Sequence, residues 1–209
     1  TFARFTDAEI IPAAEGIDDA HEYPRDMVKR LADLGFVGMR YSEDAGGSGV
    51  DLVTCCLALE EVARGSMSVA ACVTMQALMG TKFLEMLGND DIRERLFKPA
   101  LALDKIGAIC MTEPDAGSDL GGISTRAVET DGGYLLNGAK TWVTSAPVAD
   151  FFTVFARAGD EDKLTIFLVE KDFDGLVIGR PIEKMGVWAL PTSEVAFNDC
   201  FVPDSHRLS

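Results

Sequence analysis

Apolar residues recur at two different spacings, and the change divides the chain near residue 105. Before that point they follow the helical spacing of three and four residues, and after it they alternate with polar residues along short segments. Between Pro24 and Gly35, for example, one helical face carries Met27, Val28, Leu31 and Leu34. Proline is favoured at the first helical position and glycine just beyond the last, so this segment is predicted to form one helix.

Small polar residues mark the starts of the next helices. Asp51, Ser68 and Asn89 each precede a helical apolar pattern and are predicted to cap it. The helix after Asn89 is predicted to stop before Pro99, because proline lacks the N–H that a helix interior needs. In the helix predicted to begin after Ser68, three apolar residues have two interpretations, core packing or the wall of an acyl pocket, and core packing is the more common role. They are Met75, Leu78 and Met79.

The alternating segments after residue 105 predict short β-strands separated by polar or glycine-containing turns. They are residues 106–111, 125–130, 134–136, 151–157, 164–170, 176–179 and 193–197. Asn137-Gly138 is typical of a two-residue hairpin turn and is predicted to form one. The chain is therefore predicted to be an α+β multidomain protein. An N-terminal helical bundle, residues 1–105, precedes an antiparallel β-barrel or sandwich domain, residues 106–209.

Composition narrows the class of partner. The 209 residues are 47% hydrophobic, which is ordinary for a folded protein, and no apolar run is expected to approach the ~18 to 20 residues that span a membrane. The net charge is −15 without a basic stripe, so neither nucleic acid nor an anionic membrane is expected as a partner. Five cysteines without metal-ligand spacing and two isolated histidines predict no metal site. The odd number of cysteines favours a reducing compartment, the cytoplasm or, in a eukaryote, the mitochondrial matrix.

Two stretches combine features of a ligand-binding site. Residues 110–122 read C-M-T-E-P-D-A-G-S-D-L-G-G and join a strand-like run to a loop of small and hydroxylated residues. The backbone amides of such a loop are suited to a polar cofactor edge. Farther along, Trp142 and Thr144 are two residues apart, so on an extended segment both point to one face. The indole is then placed to cover a flat ring while the hydroxyl donates to its rim.

Together these stretches resemble the flavin-contacting signature of the acyl-CoA dehydrogenase family. The resemblance runs through most of the chain, and its specificity lies in the order and spacing of several short motifs. Besides the T-E-P-x-A-G-S-D core they are Ile10-Ile11-Pro12, Glu22-Tyr23-Pro24, Glu43-Asp44-Ala45-Gly46-Gly47-Ser48-Gly49, Glu60-Glu61-Val62-Ala63, Leu135-Leu136-Asn137-Gly138-Ala139-Lys140, Lys184-Met185-Gly186 and Phe197-Asn198-Asp199-Cys200-Phe201-Val202-Pro203. The family resemblance implies an oxidoreductase in which FAD takes a hydride from an acyl-CoA thioester, giving the 2-enoyl-CoA.

The resemblance also implies which residues contact the cofactor. They are Ile109, Met111, Thr112, Gly117, Ser118, Trp142 and Thr144, and Ser118 would also touch the acyl-CoA. Considered one at a time, these residues have structural alternatives: a buried strand at Ile109 and Met111, a loop-stabilising hydroxyl at Thr112 and Ser118, and a packed core aromatic at Trp142. The flavin interpretation rests on the set as a whole.

No catalytic base is assigned within the chain. Glu113 and Asp119 lie in loop positions where carboxylates commonly cap neighbouring amides. The resemblance implies that the base comes from a C-terminal helical domain beginning after Val202-Pro203, which also forms dimers and tetramers. We therefore expect the 209 residues alone to bind FAD weakly and to dehydrogenate no acyl-CoA. The implied electron acceptor is an electron transfer flavoprotein. Alternatives are an acyl-CoA oxidase and a non-catalytic flavin- or acyl-CoA-binding or scaffold protein.

One motif departs from the family pattern. Many members carry Arg at the position of Trp188 and Ser-Asp at Leu190-Pro191, so this chain has lost a cation and gained apolar bulk there. Contacts to the coenzyme or to an adjoining domain are expected to differ accordingly. The sequence does not indicate the length, branching or ring character of the acyl group.

Overall fold

The helical part of the chain is built from short α-helices joined by wider π turns. The structure, a computed structural model, describes residues 1–159 and 162–209. The α-helices are α1 (Phe2–Phe5), α2 (Ile11–Ala20), α3 (Arg25–Asp33), α4 (Leu52–Gly65), α5 (Met67–Thr74), α6 (Lys82–Leu87), α7 (Asp90–Ile92) and α8 (Lys98–Leu101). The π turns are Thr6–Ile10, Met75–Gly80 and Arg93–Phe97. Gly35 follows α3 with a φ of 88°, the left-handed conformation that ends a helix.

Two of the three predicted helix caps are confirmed. The Asp51 carboxylate accepts from Thr54 N at 3.0 Å, and Asn89 Oδ1 accepts from Ile92 N at 2.9 Å. The predicted cap at Ser68 is wrong, because Ser66 Oγ accepts from the backbone N–H of Val69 and the helix begins two residues earlier. Ser68 is instead buried inside α5, where its hydroxyl contacts the Asp18 carboxylate.

The predicted stop before Pro99 is also wrong. The helical path continues through Pro99 to Leu101. A π turn, Arg93–Phe97, comes immediately before α8, and Lys98 N donates to Arg93 O in its wider ring. Pro99 then falls in the first turn of α8, where its missing N–H leaves no helical bond unmade.

The second part of the chain is one curled seven-stranded sheet. Its strands are β1 (Gly107–Cys110), β2 (Arg126–Thr130), β3 (Gly133–Thr144), β4 (Phe151–Ala158), β5 (Lys163–Glu170), β6 (Leu176–Ile178) and β7 (Thr192–Pro203). The strand order is β1-β4-β2-β3-β7-β6, with β5 on the other edge of β4. The predicted order of a helical bundle followed by a β domain is confirmed, with the detail that β4 pairs in parallel with both β1 and β2.

The two parallel partners of β4 leave a gap between them. β1 pairs with residues 151–154 of β4, and β2 pairs with Arg157 and Ala158. Phe155 and Ala156 therefore face the break between β1 and β2, from which residues 111–125 leave the sheet as a loop. This loop contains the T-E-P-x-A-G-S-D core, so the sheet topology places it over an opening in the hydrogen-bond ladder.

The predicted hairpin at Asn137-Gly138 is wrong. The hairpin turn lies earlier, where Thr130 pairs with Gly133, and Asn137 and Gly138 are inside β3 at a shift in its register with β7. The Asn137 side chain exchanges hydrogen bonds with Asp199, and a Cβ on Gly138 would lie 2.5 Å from Thr125 Oγ1. Asn137-Gly138 therefore lies at a β-bulge, where the backbone of Gly138 closely approaches Thr125.

The helical part packs directly against the sheet. One core cluster joins Tyr41, Leu84 and Phe97 to Phe151 and Leu168 of the sheet. The expectation that no apolar run approaches the length of a membrane span is wrong for Met67–Leu87, which is long and apolar enough to cross a membrane by length and composition alone. However, 56% of its apolar window is buried in the protein, as in a core helix. The three residues of this stretch with two predicted interpretations, core packing or pocket wall, occupy different positions. Met75 packs on the helical core, Leu78 borders a cavity of about 70 Å³, and Met79 is 40% exposed.

Candidate functional site

The loop after β1 and the end of β3 are joined by a backbone hydrogen bond. Thr141 N donates to Thr112 O at 2.9 Å. Because Thr141 immediately precedes Trp142, this bond holds the indole-bearing segment beside the start of the loop. The two stretches that the sequence singled out, far apart in the chain, are therefore neighbours in the structure.

Trp142 stands on a strained bulge and faces outward. The register between β3 and β7 shifts between Lys140 and Val143, and Trp142 has a φ of 57°. The expectation of a uniformly extended segment is wrong at this residue, since a left-handed conformation is costly for a side chain other than glycine. The indole is 60% exposed, whereas Lys140 and Val143 on either side are buried. A core-packing role for Trp142 is not what the structure shows.

The other candidate residues take three kinds of position. Ile109 and Met111 are half-buried and pack against a small cluster containing Ala116, Ile123 and Phe155. Thr112 and Thr144 are half-buried near the join of the loop and β3, whereas Gly117 and Ser118 are exposed on the outer part of the loop. A Cβ added at Gly117 would meet nothing within 4 Å, so the space beside it is open. The structure thus brings Thr112 next to Thr141, one residue from Trp142, places Ile109 and Met111 in the small cluster under the loop, and leaves Gly117 and Ser118 exposed on its outer part.

A buried ion pair, which the sequence interpretation missed, anchors the base of the loop. Lys140 is 1% exposed and Glu113 is 4% exposed. The Lys140 ammonium donates to Glu113 Oε1 at 2.7 Å, to Phe155 O at 2.6 Å and to Met111 O at 3.2 Å. Phe155 lies opposite the gap between β1 and β2, so the lysine supplies a donor where the ladder has none. All three ammonium donors are satisfied.

The Glu113 carboxylate receives hydrogen bonds from both sides. Ser124 N donates to Oε2 at 2.7 Å, Thr125 N donates to Oε1 at 3.0 Å, and both hydroxyls also donate. Burial by itself raises the pKa of Glu113, but Lys140 and these hydrogen bonds outweigh it and lower the pKa to about 2. Burial also lowers the pKa of Lys140, against the opposing effect of Glu113. All the hydrogen-bond contacts of the Glu113 carboxylate are structural, which agrees with the absence of a predicted role for Glu113 as a base.

A second cation holds the far end of the loop. Arg157 Nε donates to Ile123 O at 2.7 Å, and its Nη2 donates to Gly121 O. Asp119 caps Gly121 N at 2.8 Å, which is the local role expected for that carboxylate.

The sequence did carry a signal for the burial of Lys140, because even spacing puts this lysine on the same strand face as the buried Leu136.

The departing motif builds a different feature. Trp188 stacks on His21 with ring centroids 4.7 Å apart, and its Nε1 donates to Lys184 O at 2.7 Å. A cavity of about 370 Å³ is bordered by both aromatic rings and by Lys184. Trp188 therefore packs the long connection between β6 and β7, residues 179–191, against His21 at the end of α2.

Within residues 1–159 and 162–209, no group of three or more potential ligands is arranged to hold a metal ion.

The site residues suit a flat ring with polar edges. An exposed indole on a bulge, hydroxyls at Thr112 and Thr144 and the open space at Gly117 supply an apolar cover, hydrogen-bond donors and room for close approach. The chemistry of this donor set fits a flavin.

Models of one protein family match both parts of the chain. The model of the acyl-CoA dehydrogenase N-terminal domain matches residues 1–104, and that of the acyl-CoA dehydrogenase middle domain matches residues 108–200. The chain is 70% identical over 209 residues to a benzylmalonyl-CoA dehydrogenase from Aromatoleum aromaticum, covering 100% of this chain and 55% of the relative. The chain therefore spans about half the length of the curated relatives it matches.

Solved structures show the same fold at lower sequence identity. A glutaryl-CoA dehydrogenase from Mycobacterium smegmatis in complex with FADH2 superimposes with a TM-score of 0.92 at 29% identity, covering 99% of this chain and 53% of that one. A structure described as an electron transferring flavoprotein of Acidaminococcus fermentans gives a TM-score of 0.92 at 29% identity, covering 100% of this chain and 56% of that one.

Proposed function

Because the chain belongs to the acyl-CoA dehydrogenase family, we propose that the protein carrying it catalyses FAD-dependent α,β-dehydrogenation of an acyl-CoA thioester to the 2-enoyl-CoA. One observation carries the proposal: the exposed indole of Trp142 stands on a strained bulge tied by Thr141 N to the Thr112 carbonyl. Strain of this kind persists where the surrounding structure fixes a residue for a function.

In this proposal each candidate residue has a binding task. Trp142 covers one face of the flavin ring, Thr112 and Thr144 donate hydrogen bonds to its edge, and Ile109 and Met111 contact it chiefly through backbone amides. The outer loop residues Gly117 and Ser118 face the rest of the cofactor, and Ser118 also touches the acyl-CoA. Bound FAD supplies the hydride acceptor. The chain's own contribution is to bind and orient the ring and to exclude water from one of its faces.

The α proton is not assigned to any carboxylate of this site. Glu113 is paired with Lys140 and surrounded by donors, and Asp119 caps the loop. We therefore propose that the base lies elsewhere in the protein and that the 209 residues alone bind FAD weakly and have no dehydrogenase activity.

For the substrate, we propose an acyl-CoA that carries an aromatic ring. The support is the 70% identity to a relative named for benzylmalonyl-CoA.

For the electron acceptor, we propose an electron transfer flavoprotein. We also propose a homo-oligomer, dimer or tetramer, in the cytoplasm or, in a eukaryote, the mitochondrial matrix. All five cysteines are free thiols, which supports a reducing compartment.

The test uses the complete protein and two substrates. The purified protein is expected to carry a yellow flavin that bleaches anaerobically on addition of benzylmalonyl-CoA and bleaches less with butyryl-CoA. Electron transfer flavoprotein is expected to restore the yellow colour, and rapid restoration by oxygen alone would favour the acyl-CoA oxidase instead. A protein that binds FAD but bleaches with neither thioester would favour the non-catalytic alternative. A protein that binds no flavin would overturn the proposal.

A further inference from the structure

One ammonium group touches the residues on both sides of Thr112. Lys140 Nζ donates to Met111 O at 3.2 Å and to Glu113 Oε1 at 2.7 Å. The third donor goes to Phe155 O at 2.6 Å, in the gap of the sheet. The start of the loop is therefore fastened to β3 and β4 at a single buried point.

The same lysine lies two residues before Trp142 on β3. One residue beyond Lys140, Thr141 N donates a backbone hydrogen bond to Thr112 O. Since the bulge begins between Lys140 and Val143, the position of the indole depends on how Lys140 is held. The Thr112 segment and the start of the Trp142 bulge are thus both attached to one buried side chain.

We propose that Lys140 is a positioning residue for the flavin: its ammonium fixes the Thr112 segment relative to the Trp142 bulge and so sets the spacing between them. The inference rests on the proposed flavin-dependent function. The proposed role of Lys140 is more than a contribution to folding stability, because a buried ion pair is often replaceable by neutral groups of similar volume without loss of folding. The donors that hold Met111 O and Phe155 O are not replaceable in this way.

The test separates charge from position. Lys140→Met keeps an unbranched side chain one atom shorter than lysine and removes all three donors, leaving the Glu113 carboxylate buried without its counter-ion. The double variant Lys140→Met with Glu113→Gln removes the unpaired charge as well. Val202→Ala is the matched control, because Val202 is fully buried and pairs with Tyr134 at the opposite end of β3. For each complete protein the measurements are the thermal midpoint, the FAD dissociation constant and the visible spectrum of the bound flavin.

The double variant is expected to recover much of the thermal midpoint that Lys140→Met loses. Both lysine variants are expected to bind FAD about ten- to a hundredfold more weakly than the parent, the range for losing charge-assisted hydrogen bonds that fix a site. Their flavin spectra are expected to shift, and Val202→Ala is expected to lower the thermal midpoint with neither change.

Two results would overturn the inference alone. One is a double variant with the FAD affinity and flavin spectrum of the parent. Another is a Val202→Ala protein that loses as much FAD affinity as Lys140→Met. If Lys140→Met does not fold, the double variant alone decides. A parent protein that binds no FAD would overturn the proposed function together with this inference, whereas either of the two results above, in a parent that binds FAD, would overturn the inference only.

Discussion

Replacing Glu113 by glutamine tests the importance of the buried pair for stability. The carboxylate receives hydrogen bonds from Ser124 and Thr125, through the backbone N–H and the hydroxyl of each, and from the Lys140 ammonium. Every partner is therefore a donor in the native arrangement. The NH2 group of a glutamine must face some of these donors, and the ammonium of Lys140 loses its counter-ion while it remains buried.

The expected loss is large for one substitution. Breaking a buried ion pair by removing one partner destabilises a protein by about 3–5 kcal/mol. For a protein of 150–250 residues, each kcal/mol lowers the thermal midpoint by about 2–4 °C, so Glu113→Gln is expected to lower it by roughly 6–20 °C. Thermal unfolding followed by circular dichroism measures this difference. The control is Glu129→Gln on β2, where the carboxylate is exposed and the change is expected to stay within about 0.5 kcal/mol.

The loss should also depend on pH in one direction. The folded-state pKa of Glu113 is lowered from 4.5 to about 2, so its stabilising effect is fully present above pH 4.5 and is lost as the pH falls toward 2. The gap in stability between the parent and Glu113→Gln is therefore expected to narrow over that window. A variant within about 1 kcal/mol of the parent at pH 7, or a gap that widens on acidification, would refute the reasoning.

Three further changes test local features of the fold. Gly138→Ala is expected to destabilise the protein by about 1–3 kcal/mol in denaturant unfolding, since its Cβ would lie 2.8 Å from the Cα of Thr125; an unchanged midpoint would show that the close approach is not obligatory. Tyr23→Phe is expected to leave stability equal or higher, because within residues 1–159 and 162–209 the buried phenol oxygen has no hydrogen-bond partner; a loss above about 1 kcal/mol would reveal one. Ser66→Ala is expected to cost about 1 kcal/mol as the loss of a helix cap, and a variant as stable as the parent would contradict that cap assignment.

The sequence predicted features that depend on local chemistry. Asp51 and Asn89 cap helices because their short side chains reach the N–H groups of the next turn, which needs no information from distant residues. The cap at Ser68 was misplaced because Ser66 has the same chemistry two residues away. The choice between them depends on Asp18, a partner in another helix.

Features set by distant partners were not readable in the same way. Asn137-Gly138 has the composition of a hairpin turn, but pairing of β3 with β7 and the contact of Gly138 with Thr125 place it inside a strand. The buried role of Lys140 depends on the gap between β1 and β2, which exists only because both pair with the same edge of β4. Even spacing from Leu136 was the only local sign that this lysine faces inward.

A comparison of the two tryptophans of the chain tests the central claim most directly. FAD is titrated into the complete protein, into Trp142→Ala and into Trp188→Ala, and the dissociation constants are compared. Alanine leaves the left-handed conformation at residue 142 as strained as before, so the change removes the indole alone. We predict that Trp142→Ala binds FAD about tenfold more weakly, as expected for losing an aromatic stacking contact, and that Trp188→Ala keeps the parent affinity. Parent affinity in Trp142→Ala, or an equal loss in Trp188→Ala, would contradict a flavin site between the bulge of β3 and the Thr112 loop.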